Sequence, residues 1–483
     1  MLNAMRRSRS LMGRTGIGAL IAAGVVMGST ALAQQGTGMR AVFGVNQGFS
    51  ADSNRRLELS NPGRSLVSTT GLSFGVNSQT RTQQFSLQSG INARVFDIPG
   101  EGRGLRLDSP SLRGSYGRDG ARSGIVLTAD FSRTPLRFTR PLDDFLVSLP
   151  VFDEDGLPVL DDQGQQIVED VIILPDDEDA LIGLGRRTSI GLSGRVDLGR
   201  GGPIGTTITA SRRDLHYSDA PTQFDSTRDL FGVATRFRLS PVTTARIALD
   251  VSRYEAEDSV RTQRDRLRLR FGVRHELSQV LVVDASFGPS RVITRERVSG
   301  NRTEERGIDG DLGLTYSLPN GTIGFNLSSL TDEDGTRRSL SLNRSLDLPR
   351  GALSGSIGLS RDADGRQRTT GRINYRHDLP DGSLSVQATR GFATNVRDET
   401  EEFTALSIGY SHAINSVSSV SLSARYLART DDRASFTASY RHALTPDWNL
   451  NMGYRFDSVD RTAGRLRNHG VFLNVSRSFD FGL

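Results

Sequence analysis

The chain contains no cysteine, and all 60 of its basic residues are arginine, since no lysine occurs in its 483 positions. Without cysteine there is no disulfide, no thiolate metal site and no thiol nucleophile, and a lipid anchor on an N-terminal cysteine is excluded. Beyond residue 33 no stretch approaches the roughly 20 consecutive apolar residues of a membrane-spanning helix. Mean hydropathy is −0.35. A chain this polar crosses a membrane only if every second residue faces water.

Such an alternation is present, and it restarts after a short turn many times along the chain. Its clearest instance is Arg264-Asp265-Arg266-Leu267-Arg268-Leu269-Arg270-Phe271-Gly272-Val273-Arg274. Successive side chains of a strand point to opposite faces, so Leu267, Leu269, Phe271 and Val273 share one face and the arginines the other. The N-terminus carries Arg6, Arg7, Arg9 and Arg14, an apolar run from Ile17 to Met27, and Ala31-Leu32-Ala33. That layout predicts a secretory signal peptide over 1–33, leaving 34–483 as the mature chain. The pattern predicts an all-β fold, a large antiparallel transmembrane β-barrel. About 22 strands are expected between 38–49 and 467–481, or about 20 if one weak hairpin merges.

The last strand places Val471, Leu473, Val475, Phe479, Phe481 and Leu483 on one face. In this it resembles Gram-negative outer-membrane proteins, whose final strand ends in alternating apolar residues and usually a terminal aromatic read by the barrel-assembly machinery. Here the aromatic stands two positions earlier, in Phe481-Gly482-Leu483. The resemblance implies short periplasmic turns, longer extracellular loops, and outer-membrane lipid and lipopolysaccharide as surroundings. Leu318-Pro319-Asn320-Gly321, Leu348-Pro349-Arg350-Gly351 and Leu379-Pro380-Asp381-Gly382 have the chemistry of tight turns. Tyr375-Arg-His377, Tyr410-Ser-His412 and Tyr440-Arg-His442 end descending strands, with Phe271 to His275 a looser copy. Tyr316, Trp448 and Tyr454 join them as an aromatic girdle. Arg344 and Arg477 fall on the lipid face, near enough to the turns to reach headgroups.

The expected pore-lining residues are Arg264, Arg266, Arg268, Arg270, Arg274, Arg236, Arg238, Arg372, Arg376, Arg425, Arg441 and Arg455, with Arg366 and Arg368 on the same faces. Asp197, Asp250, Asp284, Asp309, Asp311 and Asp347 share the inward phase. Two readings of this wall stay open, a solvated surface with salt-bridge ladders or a lumen tuned to anionic solutes. Nucleic acid is disfavoured as a partner despite a pI near 9.8, because the arginines are spread over many inward faces.

The segment 141–185 contains no arginine. It carries Asp143, Asp144, Asp153, Glu154, Asp155, Asp161, Asp162, Glu169, Asp170, Asp176, Asp177, Glu178 and Asp179. A loop this long is uncommon unless functional or disordered. Three readings are open: a surface hairpin, a divalent-ion-binding loop at the lipopolysaccharide layer, or an inward fold that narrows the pore. The last resembles the acidic constriction loop of general porins. The Asp-x-Asp-Gly stretches at 153–156, 332–335 and 362–365 lack the rest of a calcium loop, so turn chemistry accounts for them. No metal or other cofactor is expected.

The leading expectation is a channel for hydrophilic, anionic solutes, porin-like or exporting. Asp52-Ser-Asn-Arg-Arg-Leu57 resembles barrels of exopolysaccharide-secretion systems over about the first hundred residues, which implies polysaccharide export as a specialisation. The stretch after Gln34 offers no plug domain, which disfavours a TonB-dependent receptor. The main alternative is a hydrolase at the extracellular rim, for which Asp214, His216 and Asp219, with His469, form the one suggestive cluster. No nucleophile motif accompanies it, and no enzyme is expected. A structural or adhesive barrel is the third class.

Overall fold

The first and last strands pair with each other, from Arg40 opposite Gly482 to Asp52 opposite Gly470, so the sheet has no free edge. The computed structural model describes residues 38–57, 59, 63–135, 146–150, 168–172, 185–220, 223–394, 400–429, 431–461 and 464–482. The signal peptide expected over 1–33 lies outside them.

In chain order the strands are β1 (Met39–Asp52), β2 (Ser65–Gln79), β3 (Gln83–Ile98), β4 (Gly102–Asp119), β5 (Ser123–Pro135), β6 (Leu146–Pro150), β7 (Val168–Ile172) and β8 (Arg186–Leu198). There follow β9 (Ile204–Ser218), β10 (Ser226–Ser240), β11 (Thr243–Ala256), β12 (Thr262–Ser278), β13 (Leu281–Glu296), β14 (Arg302–Leu318), β15 (Gly321–Asp332) and β16 (Gly335–Leu348). The series ends with β17 (Gly351–Arg361), β18 (Gln367–Leu379), β19 (Gly382–Thr394), β20 (Thr400–Asn415), β21 (Ser418–Ala428), β22 (Asp432–Ala443), β23 (Trp448–Arg461) and β24 (Gly464–Gly482). All but β6 and β7 form one 22-stranded sheet, each strand antiparallel to the next. β5 pairs directly with β8. β6 and β7, which lie between them in sequence, pair with each other as a separate antiparallel two-stranded sheet, which the alternation did not predict.

The expected turns are where proline and glycine put them: Leu318 faces Gly321, Leu348 faces Gly351 and Leu379 faces Gly382. Each turn is tied sideways to the next hairpin. The carbonyls of Asn320, Arg350 and Asp381 accept from the backbone N–H groups of Asp347, Asp378 and Ala413 at 3.0, 3.0 and 2.6 Å. Gly321 and Gly351 have φ of +123° and +138°, and a Cβ there would collide with the carbonyl oxygens of Ser345 and Arg376. Glycine is required at both positions.

The outward face carries the large apolar side chains, and their exposure is that of a wall built to meet lipid: Leu105 is 73 % exposed and Ile308 68 %. Tyr375 and His377, Tyr410 and His412, and Tyr440 and His442 stack in pairs with centroids 6.1–6.2 Å apart. The two arginines expected to reach headgroups are held near the turns. Arg477 lies over the rings of Trp448 and Phe479, 5.3 and 4.3 Å from their centroids, and Arg344 donates to Asn320 Oδ1 at 3.1 Å.

Two expectations shift. β14, for which the apolar alternation of the sequence predicts residues 308–318, starts at Arg302, because its outward positions 302, 304 and 306 are charged and the alternation stops before the strand does. Arg366 belongs to no strand, since its backbone N–H donates to Asp362 Oδ1 at 2.8 Å in a turn.

Candidate functional site

The interior is the face opposite the exposed apolar residues, and ion pairs between non-adjacent strands identify it. Arg264 and Arg266 on β12 reach Glu333, in the β15–β16 turn, at 2.6 and 3.7 Å. Strands three apart make such contacts only across a concave surface. Arg268 meets Asp309 at 2.5 Å and Arg270 meets Asp250 at 2.8 Å. Asp309 is 2 % exposed and also accepts from Ser290 Oγ and the Thr331 backbone N–H, each at 2.7 Å. Ion pairs thus run along this stretch of the arginine row.

Nearer the turns like charges face each other across the strands. Arg236 on β10 stands directly opposite Arg246 on β11, a like-charge pair of the kind that destabilises a sheet. Both are flanked by glycine, Gly205 opposite Arg236 and Gly272 opposite Arg246. Each guanidinium lies toward its own glycine, so the two charges splay apart over bare backbone. Arg238 and Arg274 share the face by register. Higher up, Tyr254 sits between two cations, with Arg228 and Arg264 5.6 and 5.9 Å from its ring centre.

The other expected wall residues are distributed thinly. Register puts Arg372 and Arg376 on the inward face of β18, Arg425 on β21, Arg441 on β22 and Arg455 on β23. Arg376 pairs with Asp378 at 3.0 Å. Arg368 meets Asp362 at 3.1 Å, and Arg368 and Arg337 flank the ring of Phe392 at 5.1 and 5.2 Å. Around them the inward positions are serine, glycine and asparagine. Cross-strand hydroxyl pairs recur there, such as Ser328–Ser339 at 2.5 Å, Ser383–Ser411 at 3.0 Å and Ser421–Ser439 at 2.6 Å. The interior thus has two sectors, an arginine-rich wall centred on β10 to β12, flanked by the carboxylates of β14, and a hydroxyl- and glycine-rich wall over most of the remainder. Counting arginines missed this. The signal was the identity of the polar phase, as in Ser419-Val-Ser421-Leu-Ser423 against Arg266-Leu-Arg268-Leu-Arg270.

At the loop end, residues 53–57 fold inward. Asp52 is 1 % exposed and binds Arg55 at 2.7 Å, Arg455 at 2.9 Å and Asn468 Nδ2 at 3.2 Å. Leu57 packs against Val459 and Leu466 as a small buried cluster, although its φ is +52°, a left-handed conformation that costs roughly 1–2 kcal/mol outside glycine. Outside the strands, burial works against the charge of Arg200, but hydrogen bonds from it to Asp119 and Asp197 outweigh that and hold its pKa above the ordinary arginine value. Burial, reinforced by Arg433, lowers Arg429 to about 10.

The hydrolase cluster is not assembled as anticipated. His216 Nδ1 contacts Asp225, while Asp214 is taken by Arg212 at 3.1 Å and Thr227 at 2.7 Å. Asp219 lies in the following turn with φ +58°. His469, on β24, contacts the Tyr454 hydroxyl at 2.7 Å, far round the wall from β9. Of the acidic segment, only the backbone of β6 and β7 is described, with Glu169 opposite Leu149 and Asp170 opposite Ser148. Asp143, Asp144, Asp153, Glu154, Asp155, Asp161, Asp162, Asp176, Asp177, Glu178 and Asp179 lie outside the described residues. Among the described residues no group of three potential metal ligands occurs.

No protein-family model matches the sequence, and no curated protein does. Solved structures do. The FrpB iron transporter from Neisseria meningitidis (F5-1 variant) superposes with a TM-score of 0.59 at 9 % identity, covering 90 % of this chain and 82 % of its own. The ferric-catecholate import receptor Fiu from Escherichia coli K12, in its open form, gives 0.54 at 10 %, covering 90 % and 81 %. The siderophore receptor PirA from Pseudomonas aeruginosa gives 0.51 at 9 %, covering 92 % and 81 %. At these identities the likeness is one of fold, that of the large outer-membrane β-barrel.

Proposed function

We propose that the protein is an outer-membrane transport channel for hydrophilic solutes of anionic character. The observation that carries this reading is the arginine sector and, within it, the directly opposed pair Arg236 and Arg246. Two like charges on adjacent strands, each lying over its own glycine, make this part of the wall favourable to an anion. Guanidinium forks match carboxylate, phosphate and sulfate, and a charged wall inside a low-dielectric tube concentrates counter-ions. The facing hydroxyl-rich sector suits a hydrated or polyhydroxylated solute. Transport as the class also draws support from the shared barrel of the FrpB iron transporter and the Fiu import receptor. Export of an acidic polysaccharide is the specialisation suggested by the Asp52–Leu57 stretch, which is folded against the inner wall at the mouth.

Liposome swelling with a neutral disaccharide and a sugar acid of similar size tests the proposal. Faster entry of the acid supports it. Equal or slower entry of the acid would remove the anionic preference, and no entry of either from a folded barrel would remove the open channel.

A further inference from the structure

The outward face changes character with height. On β14 it runs from Tyr316 through Leu314 and Leu312 to Ile308, then turns to Arg306, Glu304 and Arg302. From Tyr316 to Ile308, at about 3.4 Å per residue and a tilt of about 40°, the wall rises roughly 20 Å, close to the apolar band of an outer-membrane barrel. On β9 to β12 the change comes one row higher. Ala210, Phe231, Val251 and Leu267 are successive cross-strand partners, a row that continues into Arg291 and Arg306, and the row above it on β9 to β12 is Arg212, Asp229, Arg253 and Asp265. That upper row alternates in sign and is charge-balanced.

The balance fails on β13 and β14. Arg291, Arg302 and Arg306 all turn to one carboxylate, Glu304, at 2.9, 3.0 and 2.6 Å. Arg291 and Arg306 are direct cross-strand partners. Their side chains are 43, 52 and 73 % exposed, so unused N–H groups point outward. Beneath them on the same face Phe287 and Ile308 are 66 and 68 % exposed.

We propose that Arg291, Arg302 and Arg306 form a binding site for a phosphate of an outer-leaflet glycolipid, whose acyl chains lie down the wall over Phe287 and Ile308. Three guanidinium groups around one carboxylate leave an excess of positive charge at headgroup height, and a phosphate accepts several charge-assisted hydrogen bonds from such forks. The apolar surface directly below distinguishes a lipid phosphate from a free one. The site lies outside the barrel, so its test is independent of whether the lumen conducts.

The experiment titrates the refolded mature barrel in detergent with bisphosphorylated lipid A and reads bound lipid by native mass spectrometry, with folding checked by heat-modifiable migration. Arg291→Ser/Arg302→Ser/Arg306→Ser should weaken binding on the order of a hundredfold, while Arg253→Ser, in the balanced row, should leave it within about threefold. Dephosphorylated lipid A on the unaltered barrel should show a comparable loss, which keeps the test valid if the triple variant fails to fold. Inorganic phosphate in millimolar excess should not displace the lipid. Unchanged binding by the folded triple variant, or equal binding of dephosphorylated lipid A, would overturn the site. Displacement by inorganic phosphate would overturn its assignment to lipid.

Discussion

Asp52, on the first strand, and Arg455, on the penultimate one, form an ion pair of 2.9 Å inside the barrel, with no part of the Asp52 side chain exposed. The contact spans the closure seam. Asn468 on β24 and Arg55 in the inserted loop complete the set of partners. Asp52→Ala should leave two arginines facing each other without their carboxylate and cost about 3–5 kcal/mol. A urea unfolding midpoint in detergent checks this, and a loss below about 1 kcal/mol would show that the seam does not depend on the cluster.

Leu57 is held in a strained conformation by its burial on Val459 and Leu466. Leu57→Ala should destabilise the barrel by about 2–4 kcal/mol through the lost packing. It should also make residues 53–57 cleavable in limited proteolysis of folded protein, and continued protection would contradict their anchoring at this side chain.

The turn glycines make a sharper structural test. Gly351→Ala forces a Cβ onto the Arg376 carbonyl at a φ of +138°, so refolding yield should fall and stability drop by roughly 1–3 kcal/mol or more. At Gly117 an added Cβ meets nothing nearer than 4.0 Å, and Gly117→Ala should stay within about 0.5 kcal/mol. Equal behaviour of the two variants would refute the requirement at the turn.

The arginine sector predicts opposite signs for two substitutions. Arg236→Ser with Arg246→Ser removes the opposed pair and should lower the anion-to-cation permeability ratio by about tenfold. Asp309→Ala removes the carboxylate that neutralises Arg268, so the ratio should rise even as stability falls by about 3–5 kcal/mol. Reversal potentials in a salt gradient read both, and shifts in the same direction would contradict the charge assignment.

The barrel was legible because a strand has a short period and a membrane enforces it. The alternation located all 22 strands of the closed sheet, the Pro–Gly turns and the stacked Tyr–His pairs. Alternation assigns a face but not a partner. It put Arg264 and Glu333 in separate readings, although the β15–β16 turn brings them to 2.6 Å. The inward fold of Leu57 was invisible because a loop has no period. The start of β14 is hidden because Arg302, Glu304 and Arg306 lie above the apolar band, where the alternation that reveals the strand no longer applies. The two-sector interior was written in the polar phase and was missed by reading only its charged members.

The anion-selective channel is tested most directly by the zero-current potential of the refolded protein in a planar bilayer under a salt gradient. An open, arginine-lined channel should give large conductance steps with a reversal potential on the anion-selective side. A cation-selective potential would contradict the proposed role of the arginine wall, and silence from a demonstrably folded barrel would contradict an open channel altogether.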